Sequence, residues 1–171
     1  KSSFLLDSLG TQVFSAQVHI SERPHLPRAL GSSPFDDDGV ATQDREVVEA
    51  GVLKGYFLST YSARKLGMRT TGNAGGSHNL IVRPGKRDLV GLAALMGRGL
   101  LVTELLGQGV NYVTGDYSRG ASGYWVENGE IRHPVQEITI AGNLKDMLRG
   151  IIAVGNDVLV RGSKQVGSIL L

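Results

Sequence analysis

The sequence predicts an α+β fold, predominantly antiparallel β, with a curled or barrel-like sheet and a few short helices. Three observations carry that expectation. Apolar residues alternate from Ala121 to Ile140 on both sides of an Asn128-Gly129 pair, a strong short-range hairpin signal. Closely spaced glycines, 24 in 171 residues, punctuate the chain. Helical spacing is confined to short capped segments around Leu89 to Met96 and Leu144 to Ile152.

Taken in order, Ser3 to Leu9 reads as a short helix capped by Ser2 or Ser3 and stopped by Gly10. Val13, Ala16, Val18 and Ile20 suggest an extended segment. Glu22 to Asp38, with Pro24, Pro27 and Pro34, reads as a long irregular connection, a kind of loop that is usually functional or mobile. Glu46 to Ser59 forms a hairpin turning at Gly51, and Ser62 caps a helical turn, ARKL, that Gly67 ends. Gly72 to Asn79 is a glycine-rich loop, Asn79 to Val82 a strand, and Pro84-Gly85 a turn. Asp88 caps the helix that carries Leu89, Leu92, Ala93 and Met96, and Gly97 and Gly99 end it. Leu100 to Leu105, Val110 to Gly115, Ala121 to Glu127 and Glu130 to Ile140 read as strands. Asn143 caps a last helix, LKDMLRGII, and Ser168 to Leu171 closes the chain as a strand.

A two-residue turn at Asn128-Gly129 sets a register for its strands. Val126 then faces Ile131, Tyr124 faces His133 and Ser122 faces Val135 on a core side. Glu127 with Glu130, Trp125 with Arg132 and Gly123 with Pro134 share the other side, where Arg132 stacks on the single tryptophan for ~0.5–1 kcal/mol if exposed. Trp125 is then either an interface anchor on a wet face or covered by another strand. VVEAGVLK echoes WVENGEIR, which supports a sheet-rich plan without making a repeat.

Composition bounds the function. With 41% hydrophobic and 20% charged residues the chain can bury one sizeable core, so a single domain is expected. The net charge of +2 holds no basic block and gives no reason to expect nucleic acid. Absence of cysteine removes disulfides and thiolate ligands and suits a cytoplasmic protein. Apolar runs such as Leu89 to Met96 and Ile151 to Val154 fall short of the ~20 residues that cross a bilayer. The chain opens on Lys1 without a signal-peptide pattern and reads as a piece of a longer protein whose upstream domain is absent.

Catalytic patterns are mostly missing. A zincin helix places two histidines one turn apart with a glutamate between them. His19 and His25 straddle a proline, His78 lies in a loop and His133 on a strand. Gly120-Ala121-Ser122-Gly123 is no nucleophile elbow. Gly72 to Ser77 lacks the following Gly-Lys-Ser/Thr of a phosphate loop, so tight backbone packing accounts for it better. Asp36-Asp37-Asp38-Gly39 lacks calcium-loop spacing and reads as a solvated acidic turn. Thr114, Asp116, Tyr117, Ser118 and Arg119 form a polar cluster that is either a salt-bridged turn or a contact for a guest chain.

The run from Gly107 to Asn143, GQGVNYVTGDYSRGASGYWVENGEIRHPVQEITIAGN, resembles the C-terminal half of the TldD/PmbA proteins, paired bacterial and archaeal subunits of a zinc-dependent peptidase system. GSSPFDDDGVATQ from Gly31, VLKGYFLSTYSARKLG from Val52, TGNAGG from Thr71 and RGLLVTELLGQGVN from Arg98 fit the same pattern, so the likeness covers nearly the whole chain. It is closer to the PmbA (TldE) subunit. The resemblance implies that the TldD subunit carries an H-E-x-x-x-H helix upstream and a cysteine ligand after a segment that matches Gly155-Asn156-Asp157-Val158. Here LVRGSKQVGSILL follows, without cysteine.

The implied reading is a C-terminal domain with no catalytic residue, metal ligand or cofactor of its own, zinc being expected only in a TldD-like partner. Expected partners are that subunit or a second copy in a dimer, and a peptide or unfolded protein as substrate, with neither nucleic acid nor membrane. Asp116, Tyr117, Arg119, Trp125 and Arg132 form the expected substrate or partner surface. The family's older description as a modulator of DNA gyrase implies the alternative, a non-catalytic binding or regulatory module.

Overall fold

The structure is a computed structural model that describes residues 3–171. Its regular elements are mostly antiparallel strands, with three short helices among the described residues. The first sheet has six strands in the order β3-β2-β1-β4-β10-β9. They are β1 (Ile20–Glu22), β2 (Arg45–Glu49), β3 (Val52–Leu53), β4 (Leu80–Val82), β9 (Leu159–Arg161) and β10 (Lys164–Val166). Only the β4–β10 pair of this sheet runs parallel. A second sheet joins β5 (Gly99–Leu106), β6 (Asp116–Glu127) and β7 (Glu130–Asn143) in that order, and β8 (Ala153–Val154) pairs β11 (Ile169–Leu170). Among the described residues no sheet closes on itself, so the open, curled alternative is the one realised.

The core sits where β2 and β3 meet the segments before β1 and after the last helix. Val13, Val18, Val47, Val48, Leu53, Ile151 and Val154 are buried together, and Phe14, Tyr56 and Leu80 pack against them. Val13 reaches this core beside an isolated antiparallel bridge between Gln12 and Val52, and Val18 from a turn in which its N–H bonds Ser15 O at 3.0 Å, so continuous strand starts at Ile20. The predicted helix from Ser3 to Leu9 is a set of turns. The Tyr56 hydroxyl accepts from the Ser8 and Leu9 amides and lies 2.8 to 2.9 Å from the Leu5 and Leu6 carbonyls, taking up groups that a helix would pair. Ser3 Oγ accepts from Leu5 N–H; Ser2, the other cap, lies outside the described residues.

Turns and caps form close to where adjacent residues encode them. Ala50 and Gly51 both have positive φ, as a type I′ hairpin turn demands. A Cβ on Gly51 would lie 2.4 Å from Phe14 O. Helix α1 (Thr60–Lys65) is capped by Ser59, not Ser62. Ser62 is the third helical residue of a capping box, its hydroxyl accepting from the Ser59 amide. Asp88 caps α2 (Leu89–Met96) by accepting from Gly91 N–H at 2.8 Å. Asn143 caps α3 (Leu144–Arg149), which stops at Gly150, so Ile151 and Ile152 leave the helix and Ile151 enters the core.

The central hairpin departs from its predicted register. Val126 faces Ile131 and Glu127 faces Glu130 as expected, but a bulge at Arg132 sets Trp125 against His133 and Tyr124 against Pro134. A second irregularity leaves Glu137 at φ 57. Each extra residue flips which side chains share a face. Tyr124, beyond the bulge, is exposed; Val126 is buried as predicted, and Ile131, still opposite Val126, is exposed against its predicted core place. Val110 to Gly115 is a turn, not a strand. Asn111 Oδ1 accepts from the Val113 and Thr114 amides, the short-range bonding by which asparagine competes with strand pairing.

Candidate functional site

The expected surface residues lie along the second sheet, but each has company the sequence did not announce. Asp116 accepts from Thr114 Oγ at 2.6 Å and from Asn143 Nδ2 at 3.1 Å, and these bonds hold its carboxyl below the usual range. It thereby ties the β6 start to the α3 cap rather than pairing with Arg119. The Arg119 guanidinium reaches Leu105 O at 3.2 Å, and its Nε is buried without a hydrogen-bond partner among the described residues. Among the described residues Asp116 and Arg119 bond separate partners and not each other. Trp125 stacks under Arg98 at 5.4 Å, whereas Arg132, displaced by the bulge, pairs with Glu130 at 2.9 Å.

Tyr117 and Arg98 lead to a feature the sequence did not reveal. A groove of about 610 Å³ runs between α2, β5 and the chain end, with Leu92, Met96, Leu101, Leu105, Met147 and Leu171 among its walls. The signal for it was α2 itself, LVGLAALM, which has no polar side to turn toward water.

A second cluster lies under the glycine-rich loop and was also missed, because its members are far apart in sequence. Glu22 is 1% exposed. Its carboxylate accepts from Arg45 Nε at 2.7 Å, Asn73 Nδ2 at 2.7 Å and His78 N–H at 2.8 Å, with His78 Nδ1 at 3.1 Å. Burial alone would push the Glu22 carboxyl up. The His78 amide, the Arg45 guanidinium and the Asn73 amide outweigh it, leaving the carboxyl below its ordinary value. Arg45 in turn donates to Asn73 Oδ1 and Tyr56 O and lies 5.0 Å from the Phe57 ring. Beside them Lys164 Nζ donates to Ser77 Oγ at 2.8 Å, Ser163 Oγ at 3.0 Å and His78 O at 3.2 Å. Burial pulls its pKa down, opposed by the Glu22 charge. The acidic turn is only partly solvated. Asp36 is buried and accepts from the Asp38, Val40 and Ala74 amides, so the glycine loop is pinned to it.

The residues present do not fit a zinc site. Three or four nitrogen, sulfur or oxygen donors must converge on one point, and no group of three metal-capable side chains does so among the described residues. His78 is engaged with Glu22, His25 Nε2 lies 3.0 Å from Thr42 Oγ, and His19 Nδ1 accepts from Ala50 N–H. Nor is any helix among the described residues long and apolar enough to cross a membrane.

Comparison with known proteins agrees with this architecture. Residues 1–171 match the family model of the PmbA/TldA metallopeptidase C-terminal domain. Over its whole length the chain is 61% identical to a metalloprotease PmbA homolog of Haemophilus influenzae and 55% identical to the metalloprotease PmbA of Escherichia coli O157:H7. It spans 38% of the length of each of these relatives. Among solved structures, a Thermotoga maritima protein described as a candidate modulator of a DNA gyrase superposes with a TM-score of 0.90 at 44% identity, over 99% of this chain and 41% of that one. TldE from Thermococcus kodakarensis does so with a TM-score of 0.85 at 26% identity, over 98% of this chain and 41% of that one. The chain belongs to the PmbA/TldD metallopeptidase family and matches its C-terminal domain.

Proposed function

We propose that this chain is the C-terminal domain of a non-metal-binding, PmbA-type subunit in a peptidase complex that degrades or matures peptides. Zinc and bond cleavage come from a TldD-like partner, and the assembly works in the cytoplasm. The observation that carries the reading is the dispersal of donors: four histidines held apart by unrelated hydrogen bonds and strands, with no cysteine to complete a set. What this module offers instead is surface. Among the described residues the outer edge of β5 is unpaired beside the apolar groove, where an extended guest chain adds a strand through main-chain hydrogen bonds and so tolerates many sequences. The β7 edge suits this less, since Pro134 lacks a donor and two bulges interrupt it.

Co-expression with a metal-bearing TldD-like subunit tests the reading. The full-length protein, tagged, is expected to retain that subunit through purification. The gyrase-modulator description of the Thermotoga maritima relative supports a second reading, a regulatory module that binds a topoisomerase without hydrolysis. Retention of a topoisomerase and loss of the metal-bearing subunit would favour it.

A further inference from the structure

The glycine-rich loop and the turn between β9 and β10 meet at one amine. Parallel pairing of β10 with β4, the strand that leaves the loop, sets Lys164 opposite Leu80 and brings it there. Lys164 Nζ donates to Ser77 Oγ at 2.8 Å, Ser163 Oγ at 3.0 Å and His78 O at 3.2 Å. Three acceptors occupy all three protons of an ammonium. Each serine oxygen that accepts from Nζ turns its own proton elsewhere, and no acceptor among the described residues takes either proton. Two backbone donors stand in the same state. The Gly76 amide is spent on Asn73 O and the His78 amide on Glu22, whereas the amides of Gly75 and Ser77 have no partner among the described residues.

Charge and access point the same way. Glu22 shares its carboxylate among Arg45, Asn73 and His78, so Lys164 feels that charge without bonding it and forms no ion pair among the described residues. Gly75 and Gly76 are exposed at φ 89 and φ 119, a backbone that glycine adopts without strain, and a Cβ on Gly76 would meet nothing within 4 Å. Asp37 stands against Gly75, its Oδ2 2.3 Å from where a Cβ would lie. That carboxylate opposes any anion and opposes a doubly charged phosphate most. The cluster is rich in donors, short of acceptors and suited to a single negative charge.

We propose that Lys164, the Ser77 and Ser163 hydroxyls and the Gly75 and Ser77 amides form a subsite for a peptide carboxylate. The inference rests on the subunit reading above, which supplies the peptide. Bonds from charged donors to a carboxylate are stronger than those to a neutral carbonyl. An acidic group fixed at Lys164 therefore sets the register of a guest chain that main-chain bonds alone leave free to slide.

Calorimetric titration of the full-length protein at low, fixed ionic strength tests this with N-acetylated tetra-alanine as the free acid, as its C-terminal amide, and as that amide with one alanine replaced by glutamate. At least one acid probe is expected to bind about 10-fold or more tighter than the plain amide, as hydrogen bonds to a charged group require. Preference for the free acid alone assigns the site to a chain terminus, and equal binding of the glutamate probe admits an acidic side chain. Lys164→Gln, which keeps a donor and removes the charge, should erase the preference, and Lys164→Arg should keep part of it. Equal binding of all three probes, binding of none, or a preference that survives Lys164→Gln overturns the proposal. Should Lys164→Gln fail to fold, carbodiimide coupling of the free-acid probe to the unchanged protein locates the carboxylate. An amide at Lys164 in preference to the other lysines is expected, and coupling spread evenly over them overturns the proposal. If the metal-bearing subunit is retained while the probes bind alike, the subsite is wrong and the subunit reading stands. If Lys164 selects the acid while that subunit is never retained, the subsite stands and the subunit reading fails.

Discussion

Replacing Arg45 with methionine is expected to lower folding stability by about 3–5 kcal/mol at pH 7, because it takes from the buried Glu22 carboxylate its directly bonded counter-charge and leaves only the unbonded Lys164 charge nearby. The stem of the side chain survives in methionine, so packing loss is a small part of the effect. The double variant Arg45→Met/Glu22→Gln should recover most of the loss, since the coupled pair is removed together. The pH dependence follows from the depressed Glu22 carboxyl. In the unchanged protein its contribution is complete above the unfolded value of about 4.3 and disappears as pH falls through the lower folded value. Without Arg45 the carboxyl rises and the loss begins at higher pH. Urea unfolding followed by circular dichroism at several pH values between neutrality and acid measures both effects. A variant as stable as the parent would show that Glu22 is not held by Arg45.

Gly123→Val is expected to cost at least about 3 kcal/mol by forcing overpacking into a backbone contact. A Cβ at this position would sit 1.9 Å from Leu101 O and 3.0 Å from Val102 Cα. No flexible side chain is available to give way, so β5 must lift off β6. The groove loses a wall with it, since Leu101 and Leu105 belong to β5. Hydrogen exchange should show faster exchange for amides of Gly99–Leu106 than for those of β2. Unchanged protection along β5 would contradict the close approach.

Both effects depend on features that were unequally legible. The close approach at Gly123 was hidden, although the hairpin around Asn128-Gly129 was plain, because a turn is written in adjacent residues while strand separation depends on the neighbour. The caps Asp88 and Asn143 were readable for the same local reason. The register beyond Val126 was not, because the bulge at Arg132 and the positive φ of Glu137 carry no local signal in residues that favour neither. Strands β8, β9 and β10 hold two or three residues each and gain their partners from distant segments, including the parallel pairing with β4. The Glu22 cluster joins residues from β1, β2 and the glycine loop, so no spacing along the chain could have assembled it. The likeness to a known family, by contrast, was carried by short stretches of sequence and needed no geometry.

The central claim is that this module contributes surface and no metal chemistry to peptide cleavage. Elemental analysis of the purified full-length protein, paired with a peptide-cleavage assay before and after addition of the metal-bearing subunit, tests it most directly. The account predicts substoichiometric zinc and cleavage only in the mixture. A full equivalent of zinc that survives dialysis and is lost on replacing His78 or another of the four histidines, with cleavage by the protein alone, would contradict it.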